Sequence, residues 1–93
     1  MVKEDIVALI TDDTGYSKST VTEVVDSLLT NITFALSKGR KVHFRGFGIF
    51  EAKKRAPRTG RNPHTGDKVP IPERIVPVFI AGKSLKSFVI KND

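Results

Sequence analysis

The stretch RAPRTGRNPHTG, residues 55–66, lies near the middle of the chain and most limits how the chain can fold. It contains three arginines, two prolines and two glycines, but no large apolar side chain. A segment of this composition cannot bury a hydrophobic face of its own. Because segments rich in phenylalanine and valine flank it on both sides, we expect residues 53–74 to project as an arm from a folded body.

The overall composition restricts the class of protein. Ninety-three residues with 39% apolar content make one small globular domain, residues 1–93, which a partner subunit would help to stabilise. The chain has no cysteine, and His43 and His64 lack the spacing of a zinc pair, so we expect no metal and no cofactor. No apolar run approaches the roughly 20 residues of a membrane span, and acids follow the N-terminus too closely for a signal peptide. We therefore predict a soluble, cytoplasmic protein.

The positive charge is concentrated in the proposed arm. The chain carries a net charge of +6, yet residues 1–52 contain slightly more acidic than basic side chains. Residues 53–74 hold seven Lys or Arg against only Asp67 and Glu73. A basic segment is often only a solvated linker, but this one is interior and bounded by strand-like sequence. That position favours an arm that binds a polyanion.

Hydrophobic periodicity predicts an α+β fold with the order α-α-β-β-arm-β-α. Apolar residues recur at helical spacing in residues 3–13 and again after Ser17, a plausible N-cap, up to Gly39. The period changes to two at Val42, and residues 75–79 form the returning strand. We thus predict a helical hairpin base over 1–40, a three-stranded antiparallel sheet with its arm over 41–82, and a C-terminal helix over 83–93.

The arm is too long for an ordinary hairpin loop. If the two strands continue beyond the body, each leg has about 10 residues and reaches about 33 Å, close to one turn of duplex DNA. Asn62 to Gly66 would form the tip, with Pro63 fixing φ at the first corner, Asn62 bonding to the backbone and Gly66 taking a positive φ. These features predict a long β-ribbon with a tight turn at its end.

The segment GFGIFEAKKRAPRTGRNPHTG, residues 46–66, resembles the signature of the bacterial HU/IHF family of histone-like DNA-bending proteins. The similarity extends over essentially the whole chain, from Lys3 to the Gly82-Lys83-Ser84-Leu85-Lys86 stretch. The resemblance implies an intertwined dimer whose two β-ribbon arms enter the minor groove and bend DNA. It also implies a nucleoid-associated protein that condenses and organises the chromosome.

By position, the resemblance makes Pro63 the residue that intercalates between base pairs. The expected DNA-binding residues of the arm are Lys53, Arg55, Arg58, Thr59, Gly60, Arg61, Asn62, Thr65, Lys68 and Arg74. The expected phosphate contacts on the body are Lys3, Arg45, Gly46, Lys83 and Lys86. The physical chemistry of these side chains agrees, because proline is a rigid apolar wedge and arginine suits the narrow, negative minor groove.

No catalytic site is apparent, since no nucleophile has a nearby base and no paired acids lie in an apolar segment. We expect double-stranded DNA as the partner, preferably deformable, nicked or bent, with weak or shape-based sequence preference. A homodimer or a heterodimer with a sister chain is compatible with the sequence, as are HU-type and IHF-type specificity. Two other functions remain open: a protein that binds RNA or the ribosome, and an assembly module whose arm exchanges between subunits.

Overall fold

The computed structural model describes residues 1–91. The backbone forms two compact units, Met1–Phe34 and a second unit that begins at Ala35. Three helices and five strands follow in the predicted order: α1 Lys3–Thr14, α2 Lys18–Ser37, β1 Val42–Phe44, β2 Gly48–Arg55, β3 Arg58–Arg61, β4 Lys68–Ile71, β5 Arg74–Ala81 and α3 Lys83–Lys91. Residues 92 and 93 of the predicted last helix lie outside the described residues.

The helices of the first unit begin and end at residues suited to those positions. The Val2 backbone N–H donates to Asp5 Oδ2 at the start of α1, and Gly15 follows the helix with φ 78°. Ser17 Oγ accepts from the Thr20 N–H at 3.2 Å, which confirms the predicted N-cap of α2. The loop between α1 and α2 is therefore short and locally satisfied.

The second unit contains two antiparallel sheets. Three strands have the order β1-β2-β5, and β3 and β4 form a separate two-stranded ribbon. Strand β2 pairs with β5 from Gly48↔Ala81 to Arg55↔Arg74. The returning strand β5 is therefore longer than the predicted residues 75–79. Pro77, which lacks an amide donor, lies on the edge strand β5, as expected.

The turn between β1 and β2 is tightly packed. Gly46 adopts φ 81°, the Phe47 N–H donates to the Phe44 carbonyl, and the Gly82 N–H donates to the Phe47 carbonyl at 2.7 Å. Phe79 lies beside both neighbouring rings, with centroid distances of 4.7 Å to Phe50 and 5.4 Å to Phe47. This aromatic group packs together the end of the sheet that lies away from the arm.

The described chain buries very little apolar surface. Val7 and Val21 are the only fully buried hydrophobic residues among residues 1–91. The apolar stripe predicted for α2 is only partly covered, with Val21 buried but Val24 and Leu28 exposed, and Phe88 and Val89 of α3 are exposed as well. The large exposed side chains include Val24, Leu28, Leu29, Phe34, Phe47, Phe79, Phe88, Val89 and Ile90. Since soluble monomers rarely leave so many large apolar side chains in water, this distribution fits a subunit that packs against another.

Candidate nucleic-acid interface

The tip of the ribbon is a hydrogen-bonded turn. Asn62 Oδ1 accepts from the His64 N–H at 2.8 Å, and the Asn62 carbonyl accepts from the Gly66 N–H at 2.8 Å. Gly66 has φ 75°, the left-handed conformation predicted for it. Pro63 is exposed at this turn, so a rigid apolar ring is presented at the far end of the arm.

Two further contacts brace the tip. Thr65 Oγ1 accepts from the Asp67 N–H at 3.2 Å, and Arg61 Nη1 donates to the Gly66 carbonyl at 3.3 Å. The Arg61 guanidinium therefore stabilises the turn while its remaining donors stay available. Thr65, expected from the resemblance to touch DNA, also has this structural role.

The ribbon spreads its predicted DNA-binding residues over both faces. Strands β3 and β4 pair in the register Arg58↔Ile71, Thr59↔Pro70, Gly60↔Val69 and Arg61↔Lys68. Because side chains alternate along a strand, Arg58 lies on the face opposite to Arg61 and Lys68. A Cβ on Gly60 would lie 2.8 Å from Ile71 Cδ1, so this glycine allows Ile71 to cross the ribbon. The basic residues thus flank the ribbon on two sides and do not form a single row.

The arm is interrupted where it leaves the body. Residues 56–57 and 72–73 are unpaired, and Pro57 and Pro72 lie in these gaps. The expectation that both strands run on without a break is therefore wrong at this point. The physical reason is that neither proline can donate a ladder hydrogen bond.

At the base of the arm, the two faces of the β2–β5 pair differ in charge balance. Lys53, Arg55 and Arg74 share one face, together with Glu51, whose carboxylate lies 3.6 Å from Lys53 Nζ. Lys54 lies on the other face, where its Nζ is 3.2 Å from Glu73 Oε1. The register therefore separates Lys54 from the predicted DNA-binding side chains, as expected from the alternation of the strand.

The body contributes exposed cations from both units. In the first unit, Lys3 Nζ donates to Asp26 Oδ1 at 2.8 Å. This hydrogen bond, and then the carboxylate charge, raises the pKa of Lys3 above its ordinary value. In the second unit, Arg45 and Gly46 lie in the β1–β2 turn, and Lys83 and Lys86 lie in the first turn of α3. The Gly46 turn is adjacent to that helix, since a Cβ on Gly46 would lie 3.8 Å from Ser84 Oγ.

Several acids that sequence reasoning missed have a clear role beside this interface. Asp26, Glu51 and Glu73 each hold a lysine, and Glu51 lies between Lys41 and Lys53. Strand alternation could have placed Glu51 beside Lys53, but the Lys3–Asp26 pair joins separate helices and leaves no local signal. These pairs reduce the number of cations that are free to meet an anion.

The described residues contain neither a metal-ligand group nor a membrane-spanning helix. Across residues 1–91 no group of His, Asp and Glu is arranged to hold a metal ion. No helix within the same range is long and apolar enough to cross a membrane.

A cationic ribbon with a proline at its tip is characteristic of an architectural DNA-binding protein, a class without catalytic activity. Residues 1–89 match the sequence model described as "Bacterial DNA-binding protein", and the chain belongs to this family, the HU/IHF family of histone-like proteins. It is 45% identical to DNA-binding protein HU of Geobacillus stearothermophilus over 89 residues, which cover 96% of this chain and 99% of the relative. Over the same length it is 44% identical to HU of Thermotoga maritima.

Solved structures agree with this assignment. The chain is similar to an Anabaena HU–DNA cocrystal structure, with a TM-score of 0.91 and 38% identity over 96% of this chain and 97% of the other. It is also similar to HU from Thermotoga maritima, with a TM-score of 0.69 and 31% identity over 96% and 98% of the two chains. The resemblance and the α+β fold predicted from the sequence are thus confirmed.

Proposed function

We propose that two copies of this chain form an intertwined dimer whose arms enter the minor groove of duplex DNA and bend it. The observation that carries this proposal is the tip, where Pro63 projects from a turn that Asn62 and Arg61 hold rigid. A rigid apolar ring can replace part of the stacking lost when two base pairs separate. The cations that flank the ribbon then neutralise phosphates on either side of the groove.

The exposed apolar faces support the dimer. Leu28 and Leu29 of α2 lie in one compact unit, and Phe88 and Val89 of α3 lie in the other, all with much of their surface in solvent. Burial of these faces against a second copy would provide the hydrophobic core that the single chain lacks. We take the partner to be an identical chain, and a sister chain with the same faces would serve equally well.

We further propose that DNA deformability, and not base readout, sets the preference of the protein. The arm offers arginines and a wedge, and neither α1, α2 nor α3 presents a row of side chains suited to the major groove. Nicked or bent duplexes would therefore bind more tightly than straight ones. Such binding suits a protein that compacts DNA in the nucleoid.

A mobility-shift titration on linear, nicked and RNA duplexes tests this function. The proposed binding favours nicked DNA over linear DNA and both over RNA, whose deep, narrow major groove and wide minor groove do not suit the arm. If six or more phosphates are contacted, affinity should fall about a thousandfold or more between 50 and 200 mM salt. Equal affinity for RNA, or an affinity that hardly changes with salt, would contradict the proposal.

A further inference from the structure

The base of the arm places two arginines directly opposite each other. Arg55 on β2 and Arg74 on β5 are register partners in an antiparallel pair, so their side chains leave the same face. Directly opposite residues have Cβ atoms about 4.5–5.5 Å apart, and like charges in such positions repel. Two guanidinium groups in this arrangement need an anion between them or acids beside them.

No acid neutralises this pair of arginines within the described residues. Neither Arg55 nor Arg74 forms an ion pair there. Glu73, the neighbour of Arg74, lies 3.2 Å from Lys54 on the opposite face. Glu51, only 13% exposed, is shared by Lys41 and Lys53. The two arginines are therefore not neutralised by an ion pair, and Glu51, the acid on their face, is already paired.

Arg74 carries an additional signal. Its side chain is half-buried, and Nη1 is shielded from solvent without donating to any acceptor in residues 1–91. A donor left without an acceptor costs free energy, which the guanidinium recovers if it turns Nη1 outward onto a bound anion. Arg55, by contrast, is exposed and free to close over a ligand from the other strand.

We propose that Arg55 and Arg74 together bind one phosphate, a phosphodiester of the DNA backbone, at the base of the arm. This inference rests on the proposed function, because it takes the ligand to be the duplex that the arm enters. Each arginine presents a planar fork of donors, so two forks from opposite strands can enclose a single phosphate. The clamp fixes the point at which the arm leaves the body, beyond which the unpaired residues 56–57 and 72–73 begin.

The salt dependence of duplex binding tests the clamp in the full-length protein. We compare Arg55→Gln, Arg74→Gln and the double variant, with Lys54→Gln as the control that removes a cation from the opposite face. Each single substitution should weaken duplex binding about tenfold. The loss in the double variant should be much smaller than about a hundredfold, because both side chains hold the same phosphate. Because the dimer carries one clamp on each arm, the slope of log K against log salt should drop by about 1.8 in the double variant, about 0.9 for each of the two phosphates. Lys54→Gln should change the slope little.

Two further measurements keep the test decisive. Arg74→Lys should retain the slope but lose the coupling to Arg55, because an ammonium group binds as a point charge. The free protein is also titrated with inorganic phosphate while the arginine Nε–H NMR signals are followed. The signals of Arg55 and Arg74 should shift with the same midpoint, and Arg74→Gln should abolish the shift of the Arg55 signal. If the wild-type protein did not retard duplexes, the proposed function would be contradicted. The phosphate titration would still test whether Arg55 and Arg74 bind one anion together.

Three results would overturn the clamp while leaving the proposed function intact. Multiplicative losses with a slope reduced by about 3.6, which corresponds to four phosphates per dimer, would assign the arginines to separate phosphates. An Arg74→Gln variant with wild-type DNA affinity would remove Arg74 from the interface. A pair that binds inorganic phosphate but whose loss leaves DNA binding unchanged would be a site for free phosphate and not for DNA.

Discussion

Lys3 Nζ donates to Asp26 Oδ1 at 2.8 Å, so a lysine expected to meet DNA is already held by a carboxylate on the next helix. The side chains are 40% exposed for Lys3 and 51% exposed for Asp26, so solvent screens the pair and it contributes little to stability. A phosphate that recruited Lys3 would compete with Asp26 for its ammonium group. The pair would therefore weaken a contact between Lys3 and DNA, while it links α1 to α2.

Asp26→Asn should strengthen duplex binding. Release of Lys3 from its carboxylate partner should raise the affinity by about two- to fivefold in a mobility-shift titration. Asp12→Asn is the matched control, because it removes the same charge from an exposed position that holds no lysine within the described residues. Equal gains in the two variants would show that only net charge matters.

The pH dependence of the same pair has a definite sign. The pKa of Lys3 is raised in the folded state by its hydrogen bond to Asp26, so the stabilising contribution of the lysine is present below the ordinary lysine pKa. It should disappear as pH rises through the raised pKa of Lys3. NMR titration of the Lys3 side chain should give a higher pKa in the wild type than in Asp26→Asn. Identical titration curves would contradict this contact.

Leu29→Asp should weaken the proposed dimer. Leu29 is 52% exposed in the single chain, and an aspartate placed in an apolar interface would lose its hydration without a partner. Light scattering should give about twice the chain mass of 10.3 kDa for the wild type and a concentration-dependent lower mass for the variant. Thr30→Asp, one position along the same helix, is the comparison. A wild-type protein that scatters as a single chain at all concentrations would exclude the dimer.

Gly48→Ala should be among the most destabilising glycine substitutions. A Cβ on Gly48 would lie 2.6 Å from the Ile80 carbonyl and 2.6 Å from the Phe79 ring, so the sheet would have to shift. We expect a loss of about 2–3 kcal/mol in urea unfolding at a fixed protein concentration. Gly39→Ala, at φ 74° in open space, should cost only about 1–2 kcal/mol. The reverse order would mean that the close approach at Gly48 is relieved at little cost.

Pro63→Ala should reduce bending more than it reduces affinity. The phosphate contacts of the arm and the body remain, whereas the rigid ring that separates base pairs is lost. Preference for nicked over linear duplexes, measured by competition, should decrease as well. Asn62→Ala, which removes the 2.8 Å bond to the His64 N–H, should have a smaller effect in the same direction.

The elements of the fold were predictable because local rules determine them. Ser17, Gly39 and the turn from Asn62 to Gly66 behave as their backbone preferences require. The gap at Pro57 and Pro72 was missed because the length of a ribbon does not show where pairing stops. The pairing of Lys3 with Asp26 and the enclosure of Arg74 depend on tertiary packing. Which part of the apolar stripe of α2 stays exposed in a single chain also depends on tertiary packing.

The bend angle of bound DNA tests the central claim most directly. Energy transfer between dyes at the two ends of a duplex should rise when the wild-type protein binds, and rise much less when Pro63→Ala binds at equal occupancy. Wild-type complexes that leave the end-to-end distance of the duplex unchanged would contradict a protein whose arms enter the minor groove and separate base pairs.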